Sequence, residues 1–207
     1  MSCTISWWIG ILKKSNTGRL KELLLPGAKV ILTDCGAEHR KTRCDLISVY
    51  REDGQLVNID SLAPNRIAAE HITELFPDIT RVKREYAFGG SRLDLYAERE
   101  GQKPLLIEVK GVTLLKNGAA CFPDAPTERG VKHIRELAGA LDKGYDACIL
   151  FVAQMRGANC LTPNDETHPA FGEALREAAQ MGVHIRCIEC DVRVGEVTVH
   201  GELPVVL

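Results

Sequence analysis

The chain has 207 residues, 45% of them hydrophobic and 26% charged, with a formal net charge of −2. That is enough apolar chain for one ordinary domain or two small ones, and it is too apolar and too nearly neutral for intrinsic disorder. A total so close to zero also speaks against a nucleic-acid partner, but the distribution speaks for one. Residues 1–43 hold eight basic side chains against Glu22, Asp34 and Glu38, so a +5 front end precedes 164 residues that carry −7.

The first apolar stretch, Ile5 to Leu12, is far shorter than the roughly 20 residues of a membrane span. It has no basic lead and no small-residue cleavage site, which predicts a cytoplasmic protein without a signal peptide. The eight cysteines are scattered and are expected to be reduced and packed. Ala28 to Leu32, Leu46 to Tyr50 and Leu56 to Ile59 read as short strands, with a turn at Arg51 to Gln55. They predict a small β-barrel over residues 1–63. Trp7, Trp8, Lys13 and Lys14 offer a stacking-plus-charge surface for single strands, although packing explains the tryptophans equally well; Arg19 and Lys21 extend the basic front.

From residue 64 the pattern changes. Pro64 is placed to open a helix in which Ile67, Ala68, His71, Ile72, Leu75 and Phe76 recur at helical spacing until Pro77. Strands are predicted at 81–88, 92–98 and 105–113. A helix from Thr127 to Lys143 carries the stripe Val131, Ile134, Leu137, Ala138 and Leu141 and stops at Gly144. Cys148 to Val152 reads as a strand buried on both faces. A helix from Pro169 to Met181 and a strand from Val183 to Ile188 follow. The order α-β-β-β-α-β-α-β predicts a three-layer α/β domain on a mixed sheet over residues 64–207. Cys187 and Cys190 fall on opposite faces of their strand, so packing explains this C-x-x-C better than zinc.

The sharpest chemical signal lies in the hairpin from Ser91 to Lys110. Strand alternation turns Glu108 and Lys110 to one face and Ile107 and Val109 to the other. With Glu100-Gly101-Gln102 as a three-residue loop, counting back places Asp94 opposite Glu108 and Arg92 opposite Lys110. Two carboxylates with Cβ atoms about 5 Å apart repel unless a cation or proton intervenes. Such oxygen ligands suit Mg²⁺ or Mn²⁺ and phosphate-bearing substrates. A water activated with help from the metal and Lys110 could then attack a phosphodiester in line. A salt-bridge ladder on an exposed strand, Glu108 with Arg92, is the alternative.

The element order and the Asp94, Glu108, Lys110 set resemble the restriction-endonuclease-like core of PD-(D/E)xK nucleases, with Leu93 where a proline often stands. Ser91-Arg92-Leu93-Asp94, Glu108-Val109-Lys110-Gly111-Val112-Thr113 and the block Phe122 to His133 resemble the sugar fermentation stimulation protein A family. Asn16-Thr17-Gly18-Arg19 and Leu25-Pro26-Gly27 resemble its N-terminal OB-like domain. The family has two full strands before the Asn-Thr-Gly motif, where this chain has residues 1–15. This leaves open an incomplete barrel or a different start of the chain.

The resemblance implies a nucleic-acid-binding, nuclease-like protein with Mg²⁺ or Mn²⁺ as cofactor and DNA or RNA as partner. Asp94, Glu108 and Lys110 would be catalytic, and Asp94 and Glu108 would hold the metal with Glu70 as a third acid. It also places the helix that starts near Thr127 beside the metal, so that Thr127, Arg129, Lys132 and His133, with Thr113 and Arg92, become candidate nucleic-acid contacts. Thr127 or Asp124 as a helix cap and His133 at an exposed flank are the bland alternatives. A DNA-binding regulator of sugar (maltose) metabolism that keeps the fold and the acids without turnover is the alternative function. No membrane partner is expected, and a homodimer stays open.

Overall fold

The computed structural model describes the backbone of residues 2–4 and 12–14, and residues 20–36 and 43–207 in full. Trp7, Trp8 and Arg19 lie outside the described residues, as do the side chains of Lys13 and Lys14.

The N-terminal part is a five-stranded sheet of β1 (Ser2–Thr4), β2 (Leu12–Lys14), β3 (Lys29–Asp34), β4 (Cys44–Tyr50) and β5 (Leu56–Asn58). Its order is β1-β3-β4-β2, with β5 antiparallel to the end of β4. Among the described residues no pairing closes this sheet into a ring. The β4–β5 turn forms where expected. Arg51 N–H donates to the Gln55 carbonyl at 2.8 Å and Gly54 takes φ +82°, a left-handed value that glycine adopts without strain.

The C-terminal half is built on a six-stranded mixed sheet in the order β14-β13-β11-β8-β7-β6. Its strands are β6 (Ile79–Phe88), β7 (Ser91–Arg99), β8 (Leu105–Val112), β11 (Asp146–Ala153), β13 (His184–Arg193) and β14 (Glu196–Leu203). The central strands β8, β11 and β13 run parallel, and the outer pairings are antiparallel. A smaller sheet joins β9 (Leu114–Lys116), β10 (Ala119–Phe122) and β12 (Cys160–Pro163).

Helix α1 (Ala63–Leu75), with Pro64 in its first turn, covers one face through Ala63, Ile67, Ala68 and Ile72. Helices α2 (Glu128–Ala140) and α3 (Pro169–Met181) cover the other. Thr127 caps α2, its hydroxyl accepting from Gly130 N–H at 3.0 Å. Gly144 and Gly182 end the α2 region and α3 at φ +83° and +105°. The result is the expected three-layer α/β arrangement.

The core on the α2 face does not stop at the second half. Leu20, Leu23, Val30, Leu46, Val49, Val57 and Ile59 belong to the same cluster as Leu106, Ile134, Leu137, Phe151 and Phe171. Polar ties cross the same boundary: Arg51 reaches the Arg156 carbonyl at 3.3 Å, and Asn58 N–H donates to the Gln154 carbonyl at 2.9 Å. Cys148, Cys187 and Cys190 are buried, and burial pushes each thiol up to about 12. Cys187 packs on the α2 face and Cys190 on the α1 face. Among the described residues no helix is long and apolar enough to cross a membrane.

Candidate functional site

Strands β7 and β8 pair Leu95 with Ile107, Tyr96 with Leu106 and Ala97 with Leu105, the register that the hairpin count predicts. The ladder then ends one step short of Asp94. Leu95 packs in the α1-side core while Leu93 packs in the α2-side core, so strict alternation breaks at Asp94. The expectation of two carboxylates standing side by side on one regular face is therefore corrected. The strands part, and the Asp94 side chain enters the gap, where Oδ2 accepts the Val109 N–H at 2.7 Å. Asn65, from the first turns of α1, donates to Asp94 Oδ1 at 2.7 Å.

Glu108 is only 4% exposed, which excludes the exposed salt-bridge ladder. Its Oε1 is shared by Lys110 Nζ, at 2.6 Å, and by His133 Nδ1. Arg129 Nε donates to His133 Nε2 at 3.3 Å, so that nitrogen is the acceptor and Nδ1 carries the proton given to Glu108. Glu108 Oε2 is buried and has no hydrogen-bond partner among the described residues.

The two acids are biased in opposite directions. Burial foremost, and then the Glu108 charge, hold the Asp94 carboxyl above its ordinary value, despite the Val109 N–H, Lys110 and Asn65. Burial also pushes Glu108 upward, but the His133 hydrogen bond and the Lys110 charge outweigh it and bring the carboxyl below its usual range.

A cavity of about 410 Å³ opens beside these groups, lined among others by Asn65, Lys110, Gly111, Thr113, Thr127 and Gln154. It lies past the carboxyl ends of the parallel strands β8 and β11, where open α/β sheets place ligands. Gly111 lets α1 approach: a Cβ there would stand 2.7 Å from Pro64 Cγ and 3.1 Å from Gln154 Nε2. The far wall is the segment 122–127, braced by Asn164, which donates to the Pro123 carbonyl at 2.9 Å. His168 accepts from Thr127 N–H at 3.3 Å.

The remaining expected residues separate. Thr113 and Thr127 line the cavity, although the Thr127 hydroxyl is spent on the helix cap. Arg129 is exposed at the start of α2 and Lys132 is exposed on its outer side, 3.6 Å from Glu136. His133 is 5% exposed and braces Glu108 instead of standing at an exposed flank, a correction that follows from the inward turn of this helix face. Arg92 does not lie across from Lys110. It pairs with Ala87 of β6, and its guanidinium is exposed beside Glu85 at 3.1 Å.

Glu70 is likewise not brought to the carboxylates. It is exposed on α1 and lines a separate cavity with Asp60 and Arg193, and Asn65 of the same helix reaches Asp94 in its place. Lys21 is exposed in the turn before β3. Sequence reasoning missed Asn65, Gln154 and His168. For Asn65 its position right after Pro64, at the helix start, was the available signal.

A divalent cation fits this donor set. Glu108 Oε2 lacks a partner among the described residues, and after burial it is the Glu108 charge that raises the Asp94 carboxyl. Among the described residues no three His, Cys, Asp or Glu side chains converge on one point. A cation held by Asp94 and Glu108 would therefore complete its shell with waters.

Residues 62–196 match the model of the sugar fermentation stimulation protein RE domain, and residues 14–59 match that of the SfsA N-terminal OB domain. A sugar fermentation stimulation protein homolog of Desulfitobacterium hafniense is 48% identical over 178 residues, 86% of this chain and 77% of that protein. One of Clostridium botulinum is 45% identical over 194 residues, covering 92% and 84%. The solved structure of Pyrococcus furiosus SfsA in complex with Ca²⁺ superposes with a TM-score of 0.83 at 31% identity, over 93% of this chain and 84% of that one. With both domain models matched in order along most of its length, the chain belongs to the sugar fermentation stimulation protein family.

Proposed function

We propose that the protein binds nucleic acid and hydrolyses its phosphodiester bonds with the help of Mg²⁺ or Mn²⁺ held by Asp94 and Glu108. The observation that carries this reading is the buried Glu108 Oε2, which has no hydrogen-bond partner among the described residues, on a carboxylate whose charge reaches Asp94, with Lys110 lining a cavity. Burying a carboxylate oxygen without a partner is costly, and a cation repays that cost. The Ca²⁺ complex of the Pyrococcus furiosus relative supports the same choice of ion class.

When bound, the cation supplies Lewis-acid charge and an activated water. The protein does the rest. Asn65 and the Val109 N–H fix Asp94, while His133 occupies Glu108 Oε1 and keeps its hydrogen-bonded orientation. As water adds to phosphorus and an ester oxygen leaves, negative charge builds on the phosphoryl oxygens. Lys110, which faces the cavity wall, is the cation placed to stabilise it.

A second reading, binding without turnover, draws on the fact that both Asp94 oxygens and the Lys110 ammonium already have partners within the protein. One experiment separates the two: incubation with single- and double-stranded DNA and RNA, with and without Mg²⁺ or Mn²⁺, beside Asp94→Asn and Lys110→Ala. Metal-dependent cutting that disappears in both variants is expected. Cutting undiminished in the variants, or none in the wild type, refutes the hydrolase.

A further inference from the structure

Gln154 follows directly on β11 and is 1% exposed, yet it lines the cavity beside Lys110. Its backbone is clamped on both sides. Gln154 N–H donates to the Val112 carbonyl, and its own carbonyl accepts Asn58 N–H, each at 2.9 Å. The side chain is oriented from outside the cavity. Asp60 N–H donates to Asn58 Oδ1 at 3.0 Å, and since a backbone N–H cannot accept, the Asn58 oxygen must face it. Asn58 Nδ2 is therefore the donor to Gln154 Oε1, at 3.1 Å.

That contact spends the oxygen of Gln154 and turns its Nε2 the other way, against Gly111. Nε2 has no hydrogen-bond partner among the described residues. A nearly buried amide thus presents two unused N–H bonds to a cavity whose nearest charge along β8 is the Lys110 ammonium. Asp124, the acid of the lining, is itself partnered. An acceptor with negative charge completes such a wall.

We infer that Gln154 is a substrate-binding residue, its Nε2 donating to a non-bridging phosphate oxygen of the nucleic-acid strand, with the donor's orientation set by Asn58 of the N-terminal sheet. This rests on reading the cavity as a phosphodiester site. It also gives the N-terminal sheet a part in that site without touching the substrate there.

The test is fluorescence anisotropy with labelled single-stranded and duplex DNA at one fixed salt concentration, beside thermal melting and the cleavage assay. Gln154→Glu replaces the donor with a repelling acceptor, and its Kd is expected to rise about tenfold or more. Gln154→Met, which only removes the donor, should weaken binding less. Asn58→Asp acts from outside the cavity. Its oxygens accept from both Asp60 N–H and Gln154, so the amide turns over and presents Oε1 to the ligand, and Kd rises although no lining residue has changed. If Asn58→Asp melts early, the Gln154 pair carries the test. Unchanged Kd in folded Gln154→Glu and Gln154→Met overturns the inference about Gln154 alone. Binding without cleavage by the wild type overturns hydrolysis alone, and no binding by the wild type overturns both.

Discussion

Glu108 and Glu189 sit on strands of the same sheet, 4% and 5% exposed, and are held in opposite ways. Glu189 has hydrogen bonds at one oxygen and an ion pair at the other. Oε1 accepts the N–H groups of Gly157 and Ala158 at 2.9 and 3.0 Å, and Oε2 meets Arg156 Nη1 at 3.1 Å. Glu108 crowds Lys110 and His133 onto one oxygen and leaves the other bare. The first arrangement pins a turn to a strand. The second leaves a buried oxygen without a hydrogen bond, at a cost in stability. Burial alone does not tell them apart; the distribution of partners over the two oxygens does.

The largest expected effect belongs to the incomplete carboxylate. Lys110→Ala is expected to lower kcat by about a hundredfold or more, read as cleavage of labelled substrate under saturating metal. His133→Ala removes the brace on Glu108 Oε1 and should weaken Mg²⁺ or Mn²⁺ binding by about 10- to 100-fold, measured by titration calorimetry. If binding does not weaken, Glu108 needs no orienting partner, and the contrast with Glu189 loses its meaning.

Stability should reverse the ranking. Glu189→Ala strands two N–H groups and Arg156, and is expected to cost about 2 kcal/mol in urea unfolding. Glu108→Gln keeps an acceptor for His133 but leaves the Lys110 charge without its carboxylate, and should cost about 1 kcal/mol while losing metal-dependent activity. The smallest effect concerns the sulfurs flanking Glu189. With thiols pushed up to about 12, Cys187 and Cys190 should resist a thiol reagent at neutral pH in the native protein and react once urea unfolds it, as mass spectrometry would show.

Much of this was legible in the sequence because it follows from counting. The loop Glu100 to Gln102 fixes the β7–β8 register, and the spacing of Ile67, Ala68 and Ile72 fixes the buried face of α1. What could not be counted is where a regular ladder stops. The break at Asp94 depends on Asn65 and the Val109 N–H each holding one of its carboxylate oxygens, contacts between residues far apart in the chain. His133 was legible as a neighbour of Arg129 on one helix face, but the direction of that face was not. It depends on how α2 packs over β8.

One omission had a visible signal. Asn117-Gly118, at φ +51° and +77°, joins β9 to β10, and an Asn-Gly pair between apolar segments marks such a hairpin. The final strand β14 alternates exposed and half-buried residues along its length, a weak pattern at a sheet edge that leaves little to read.

The apolar cluster that runs without interruption from Leu20 through Val57 to Phe171 means that the two sequence-defined domains are one cooperative unit. Neither half can be excised without baring the other's interior, so the protein is expected to unfold in a single transition.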